Sequence, residues 1–352
     1  MSDNIRVLIV DDSPLFRSFL SGGLSSSHGI EVVGTASNAA EARQKITALK
    51  PDVVTMDVEM PGMSGIDFLR EFLPTHPVPV IVITSSPLSA LDAISVGALD
   101  FVRKPETSNQ KSIDKFFFRL TSTMRYSRMA KIRVPKPVPA HKPVQAPAPI
   151  PALLPSAPSG LKIVALGAST GGPDALTEVI KHFPANMPPV VITQHMPPTF
   201  TNLFAQRLDR ISQMSAKEAE DRGESGEIRE ESQRIIVAAG GKQMRVKRDA
   251  NGYYISSKDG EKVSGHCPSV DVLFTSVAEA AGRNAVAALL TGMGADGAEG
   301  LLKLKEAGAY TIGQDEESCV VYGMPGVAQK IGAVTTQLPL EKIGEHIVTK
   351  IK

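Results

Sequence analysis

The chain has 352 residues, with 38 Lys and Arg against 37 Asp and Glu and a formal net charge of +1. That length allows two domains of ordinary size, each burying its own core, and the charge balance gives no electrostatic reason to expect nucleic acid or an anionic membrane as the main partner. Cys267 and Cys319, the only cysteines, are too few for a disulfide framework or a four-cysteine zinc site and fit a reducing compartment.

Met1 to Arg6 leads straight into a short strand, without the apolar core of a signal peptide. No apolar run approaches the ~18 residues of a membrane span. A cytoplasmic protein without direct membrane insertion is expected. Apolar runs at Val7 to Val10, Glu31 to Thr35, Val53 to Met56, Val80 to Thr84 and Asp100 to Val102 predict strands. Helical periodicity lies between them, as at Ala39 to Leu49 and Gly65 to Phe72. Residues 131–160 hold nine of the 26 prolines and no acidic residue, the composition of an extended, semi-rigid linker. Beyond it, strands are predicted at Ile163 to Leu166, Val190 to Thr193, Ile235 to Ala238, Ala285 to Leu290 and Tyr310 to Ile312. The fold class is therefore α/β: two doubly wound parallel-sheet domains, at 1–130 and 161–352, joined by the Pro-rich linker.

In such sheets the C-terminal strand ends share one edge. Asp11 and Asp12 close the first strand, Asp57 the third and Thr84 the fourth, while Lys104 follows the fifth. Three carboxylates, a hydroxyl and an ammonium can converge there. Hard oxygen ligands of this kind suit Mg²⁺ beside a phosphate, which makes Asp57 a candidate phosphoryl acceptor. The plainer alternative has Asp11 and Asp12 capping the helix that starts near Pro14, with Asp57 an ordinary loop residue.

The second half places Ser169 in Gly167-Ala168-Ser169-Thr170-Gly171-Gly172, where a buried strand breaks into a Gly turn before a helix. A hydroxyl is a weak nucleophile without a base, and His195, ending the run Pro189 to His195, is expected at the same edge. Asp296, in Thr291-Gly292-Met293-Gly294-Ala295-Asp296-Gly297, is placed to orient that imidazole, or else to cap the next helix. Backbone N–H groups of the two Gly-rich turns can stabilise an oxyanion, and Gly292, Gly294 and Gly297 let the loop approach a substrate. The order Ser, His, Asp differs from that of the α/β-hydrolases. Cys267 beside His266 reads as a small buried cysteine rather than a Cys–His pair, since neighbours on an extended segment point to opposite faces.

Residues 4 to about 120 resemble a two-component receiver domain, which is flavodoxin-like. The resemblance rests on Val7-Leu8-Ile9-Val10-Asp11-Asp12-Ser13, Asp57-Val58-Glu59-Met60-Pro61-Gly62-Met63-Ser64-Gly65, Thr84-Ser85-Ser86, Gly97 to Phe101 and Lys104-Pro105. It implies phosphorylation at Asp57 and Mg²⁺ held by Asp11, Asp12, Asp57 and the backbone carbonyl of Glu59, with Thr84 and Lys104 relaying the switch. The whole chain resembles the chemotaxis receptor methylesterases, the CheB family. Besides the Ser169 turn, this rests on Gln194-His195-Met196-Pro197, Pro268 to Phe274, Leu290 to Gly297, Gln314 to Ser318 and Gly323-Met324-Pro325. The family resemblance implies hydrolysis of glutamyl methyl esters on methyl-accepting chemoreceptors, releasing methanol, together with deamidation of receptor glutamines. It further implies a chemotaxis histidine kinase as phosphodonor, a triad of Ser169, His195 and Asp296, Met293 N–H in the oxyanion hole, Thr170 beside the nucleophile, and no cofactor for catalysis. Relatives commonly carry a basic residue where Cys267 stands. A DNA-binding output would need clustered Lys and Arg on a recognition helix, and Glu218 to Glu231 is acidic and mixed instead. A receiver-controlled binding protein without catalysis would not need Ser169, His195 and Asp296 at strand ends.

Overall fold

The computed structural model describes residues 4–106, 109–128, 130, 162–220 and 234–351; the Pro-rich stretch 131–160 and residues 221–231 of the acidic segment lie outside the described residues. The chain divides into two compact units, Met1–Lys142 and Pro143–Lys352.

In the first unit five parallel strands, β1 (Ile5–Val10), β2 (Ile30–Ala36), β3 (Val53–Asp57), β4 (Val80–Thr84) and β5 (Asp100–Arg103), lie in the order β2-β1-β3-β4-β5. Every residue of β3 and β4 is buried, as expected of central parallel strands covered on both faces. Between and after them run α1 (Pro14–Ser25), α2 (Ala39–Leu49), α3 (Gly65–Phe72), α4 (Pro87–Ser95) and α5 (Gln110–Ser127). Each of the five starts on a Ser or Asn whose side chain accepts the N–H three residues on: Ser13, Asn38, Ser64, Ser86 and Asn109. Ser13 therefore caps α1, not Asp11 or Asp12, and the capping alternative for those aspartates is set aside. The strand order reverses between β1 and β3, which opens a crevice beside Asp11, Asp12 and Asp57.

The second unit is built on seven parallel strands in the order β14-β13-β12-β6-β7-β9-β8. The strands are β6 (Ile163–Ala168), β7 (Val190–Gln194), β8 (Ser215–Glu218), β9 (Arg234–Val237), β12 (Ala285–Leu289), β13 (Tyr310–Gln314) and β14 (Thr336–Leu338). An antiparallel hairpin, β10 (Lys242–Asp249) and β11 (Gly252–Asp259), stands apart from this sheet. The helices are α6 (Gly172–Ile180), α7 (Phe200–Ile211), α8 (Val270–Ala281), α9 (Ala298–Glu306), α10 (Met324–Lys330) and α11 (Leu340–Lys350). One face of the sheet contributes Ile163, Ala165, Ala287 and Leu289 to a core shared with Val270, Leu273, Phe274 and Val277 of α8. Leu301 and Leu304 of α9 and Met244, Val246, Tyr253 and Ile255 of the hairpin complete it. The hairpin thus covers α8 and fixes where that helix begins.

In the first unit the sequence predicts all five strands, edges β2 and β5 included; in the second it predicts the five central strands and misses both edges and the hairpin. Ser215–Glu218 and Thr336–Leu338 are short and half-exposed, with the polar residues that keep sheet edges from pairing further, so they carry no apolar run. The strand order departs from chain order at β6, whose neighbours are β12 and β7. The loops after these three strands bring Ser169, His195 and Asp296 together. Among the described residues no helix is long and apolar enough to cross a membrane.

Candidate active site

The turn after β6 holds Ser169 by its backbone. Its N–H donates to Thr291 O at 3.0 Å, and its carbonyl accepts from Gly172 N and from Gln194 Nε2, each at 2.8 Å. The left-handed step that turns the strand into α6 is made at Gly171, with φ of 73°, and not at the serine. A Cβ at Gly171 would also lie 2.7 Å from the Val320 side chain, so glycine is required there on both counts.

His195 follows β7 directly and lies between two partners. Its Nδ1 is 3.1 Å from Ser169 Oγ and its Nε2 is 2.7 Å from Asp296 Oδ2. All three residues are buried, at 6%, 4% and 1% exposure. An ionised carboxylate only accepts hydrogen bonds, so Nε2 carries the proton and Nδ1 presents its lone pair to the hydroxyl.

Asp296 is not a helix cap. Gly297 occupies that position before α9 and no side chain caps it. The Asp296 carboxylate instead sits at the N-terminus of α8. Oδ2 accepts from Val270 N at 2.7 Å as well as from His195, while Oδ1 accepts from Ser269 Oγ at 2.7 Å and Asp271 N at 3.1 Å. Burial alone would push the carboxyl up; the hydrogen bond and charge of His195, with the Ser269 and Val270 donors, overcome it and hold the group at about 2 against an ordinary 3.8. The close seating of α8 depends on Gly167, where a Cβ would lie 2.3 Å from Val270 Cγ1.

On the other side of Ser169, the loop after β12 approaches to backbone distance. A Cβ at Gly292 would fall 2.8 Å from Ser169 Cβ and 2.3 Å from Met324 Sδ. Gly297 is similarly crowded, against Val270. Gly294 meets nothing within 4 Å but has φ of 83°, so glycine serves the turn there rather than close approach. Among the described residues the Met293 N–H has no protein acceptor. Thr170 is buried beside the serine, and its carbonyl takes the Thr291 hydroxyl at 3.0 Å.

In the first unit, Asp11, Asp12 and Asp57 each place an oxygen within 4.8 Å of the others. Lys104 Nζ lies 2.6 Å from Asp57 Oδ2 and 3.4 Å from Asp11 Oδ2. Burial tends to lower the Lys104 ammonium, but the hydrogen bond and charge of Asp57, with the charge of Asp11, raise it on balance. Burial raises Asp11, with Lys104 opposing and Asp57 adding to the rise. Asp11 Oδ2 is buried and accepts no hydrogen bond of normal length. A hard divalent cation with its waters fits this donor set. Glu59 N donates to Asp57 Oδ1 at 3.3 Å, and Thr84 Oγ1 accepts from Ser86 N at 3.0 Å.

Comparison with known proteins bears on both units. A family model described as CheB methylesterase matches residues 164–347, and one described as response regulator receiver domain matches residues 7–113. The chain belongs to the CheB methylesterase family. It is 46% identical over 349 residues to protein-glutamate methylesterase/protein-glutamine glutaminase 2 of Syntrophomonas wolfei, covering 97% of this chain and 96% of that one. With the corresponding enzyme of Agrobacterium fabrum it shares 47% over 352 residues, covering 99% and 97%. The solved Thermotoga maritima CheB methylesterase catalytic domain superposes with a TM-score of 0.51 at 37% identity, over 54% of this chain and 98% of that structure.

Two features of this CheB-family site are not foreseen in the sequence reading. The Pro268 to Phe274 run carries family resemblance without a role, yet Ser269, Val270 and Asp271 supply three of the donors to Asp296. His266 stacks flat on His195, with ring centroids 3.6 Å apart and planes at 6°. Cys267 is half-buried rather than buried, its Sγ 3.7 Å from Gly260 O.

A depressed carboxyl stabilises the fold fully above its unfolded value and loses that contribution as pH falls through the folded one. For Asp296 the loss spans about pH 4 down to about 2. Ser269→Ala removes one donor and is expected to cost about 1–3 kcal/mol at neutral pH. Because the Asp296 carboxyl then titrates higher, the stability gap between wild type and variant should narrow on acidification across this window. Denaturant titrations at several pH values check it, and a gap independent of pH would contradict the role given to Ser269.

Proposed function

We propose that the chain is a phosphorylation-regulated protein-glutamate methylesterase and protein-glutamine glutaminase, acting in the cytoplasm on methyl-accepting chemoreceptors during chemotaxis adaptation. The observation that carries the reading is the buried chain of contacts from Ser169 Oγ through His195 to Asp296, at 3.1 and 2.7 Å. Residues 161–352 form the catalytic domain in this reading, 1–130 the receiver and 131–160 the linker.

Ser169 Oγ attacks the glutamyl ester carbonyl while His195 Nδ1 takes its proton. The charge that develops on the carbonyl oxygen is met by the Met293 N–H, with Thr170 beside the nucleophile. The imidazolium so formed is stabilised by Asp296 and returns the proton to the departing methanol. A water then enters, is deprotonated by the same nitrogen and attacks the acyl carbonyl; the bond to Ser169 Oγ breaks, the imidazolium returns the proton to Oγ, and the glutamate side chain is released. A glutamine amide follows the same course with ammonia as leaving group. No metal or organic cofactor takes part in this cycle.

In the receiver, Asp57 is the acceptor for a phosphoryl group from a chemotaxis histidine kinase. Asp11, Asp12, Asp57 and the Glu59 backbone carbonyl would hold Mg²⁺, which when bound neutralises phosphoryl charge. Lys104 lies 2.6 Å from the acceptor and Thr84 ends the adjacent strand, so both are placed to contact the phosphoryl group and transmit its presence.

Ser169→Ala should lower methyl-ester hydrolysis roughly 10⁴-fold or more with the melting transition retained, measured as methanol release from methylated receptor. Turnover within tenfold of wild type would remove Ser169 from the mechanism. A small-molecule phosphodonor with Mg²⁺ should label wild type and leave Asp57→Asn unlabelled. Equal labelling of the two proteins would place the acceptor elsewhere.

A further inference from the structure

The two in-plane hydrogen bonds at Nδ1 and Nε2 fix the ends of the His195 ring but do not resist rocking about the axis that joins them. A contact on the ring face does, and His266 provides one at 3.6 Å between centroids and 6° between planes. We infer that His266 is a positioning residue for the reaction, its flat ring holding His195 in the plane in which it meets Ser169 and Asp296; this rests on the triad proposed above.

The placement of His266 is built rather than incidental. Val263 and His266 exchange backbone hydrogen bonds of 3.0 and 2.9 Å across Ser264 and Gly265, whose φ values are 52° and 83°. Positive φ at both central residues is the two-residue reversal that fixes the direction of the flanking chain, and Gly265 supplies it without strain. The turn is tied to the same residues that hold Asp296. Ser264 Oγ donates to Asp271 Oδ2 at 3.2 Å, and the Asp271 N–H reaches Asp296. Gln243, 1% exposed on β10, donates to His266 O at 3.2 Å and accepts from Ser269 N at 2.9 Å, the serine whose hydroxyl meets the same Asp296 oxygen, Oδ1. Hairpin, turn and helix start therefore align both the edge and the face of His195. A ring offering its π face also suits a histidine that becomes positively charged during acyl transfer.

The test compares His266→Ala, His266→Asn and His266→Phe in the full chain, with methylated receptor as substrate and Ser169→Ala as control. Asparagine keeps polar atoms without an aromatic face, whereas phenylalanine keeps the face without ring nitrogens. The Ala and Asn variants should lose roughly ten- to a hundredfold in kcat with KM within about twofold of wild type, while Phe recovers most of the rate. Thermal unfolding identifies the variants that retain the fold. A folded Ala or Asn variant with wild-type kcat, or a folded Phe variant no faster than Ala, would overturn the positioning role. An inactive Ser169→Ala beside a fully active His266→Ala would overturn this inference alone, whereas an active Ser169→Ala would overturn the triad itself.

Discussion

A carboxylate that is 1% exposed must either give up its charge or be solvated by the protein, and at Asp296 four donors replace water. Two of them are backbone N–H groups at the start of α8, where a helix has unsatisfied donors and the positive end of its dipole. The remaining two are the Ser269 cap and His195 itself. Once the carboxylate is held ionised, the histidine tautomer is fixed, and with it which nitrogen faces Ser169. In the protease arrangement Nε2 faces the serine; here the ring is turned and Nδ1 does so. A bare nitrogen facing the hydroxyl and a proton held by the carboxylate are kept, with the two ring nitrogens exchanged.

That dependence explains how the second unit is packed. The start of α8 must reach the C-terminal end of β6 closely enough to solvate Asp296, and the absence of a side chain at Gly167 permits it. The hairpin β10–β11 presses on α8 from outside and sends Gln243 into the cap region. The loop after β12 must bring Asp296 to His195 while passing close to Ser169, which requires Gly292 at backbone contact with the serine. The receiver unit uses the same crevice logic for a different end. There burial raises Asp11, and the Lys104 ammonium answers the aspartates directly, with the N–H of Ser13 at the start of α1 donating to Asp11 as well.

Much of this was legible in the sequence because parallel strands covered on both faces appear as apolar runs, and their ends mark the edge where side chains meet. Ser169, His195, Asp296, Asp57 and Lys104 all follow from that one rule, with the helices at Ala39–Leu49 and Gly65–Phe72. The edge strands and the hairpin of the second unit did not: Ser215–Glu218 and Thr336–Leu338 are too short and polar, and the hairpin interleaves Lys and Arg with its buried residues. His266 was hidden for another reason. Extended-chain alternation separates it correctly from Cys267 but cannot say what a positive-φ turn at Ser264 and Gly265 will aim it at. The Val270 and Asp271 donors were invisible because backbone groups leave no mark in residue type, and the Ser269 hydroxyl does not announce a partner 27 residues away.

Asp296, ionised at the start of α8, forces one tautomer on His195. Nitrogen-15 NMR of the histidine rings in the folded, full-length protein reads this directly, because protonated and bare ring nitrogens resonate far apart. With His195 assigned by substitution and neutral, the account predicts Nε2 protonated and Nδ1 bare. A resonance pattern with Nδ1 protonated and Nε2 bare would contradict it, since Ser169 would then face a donor and have no base.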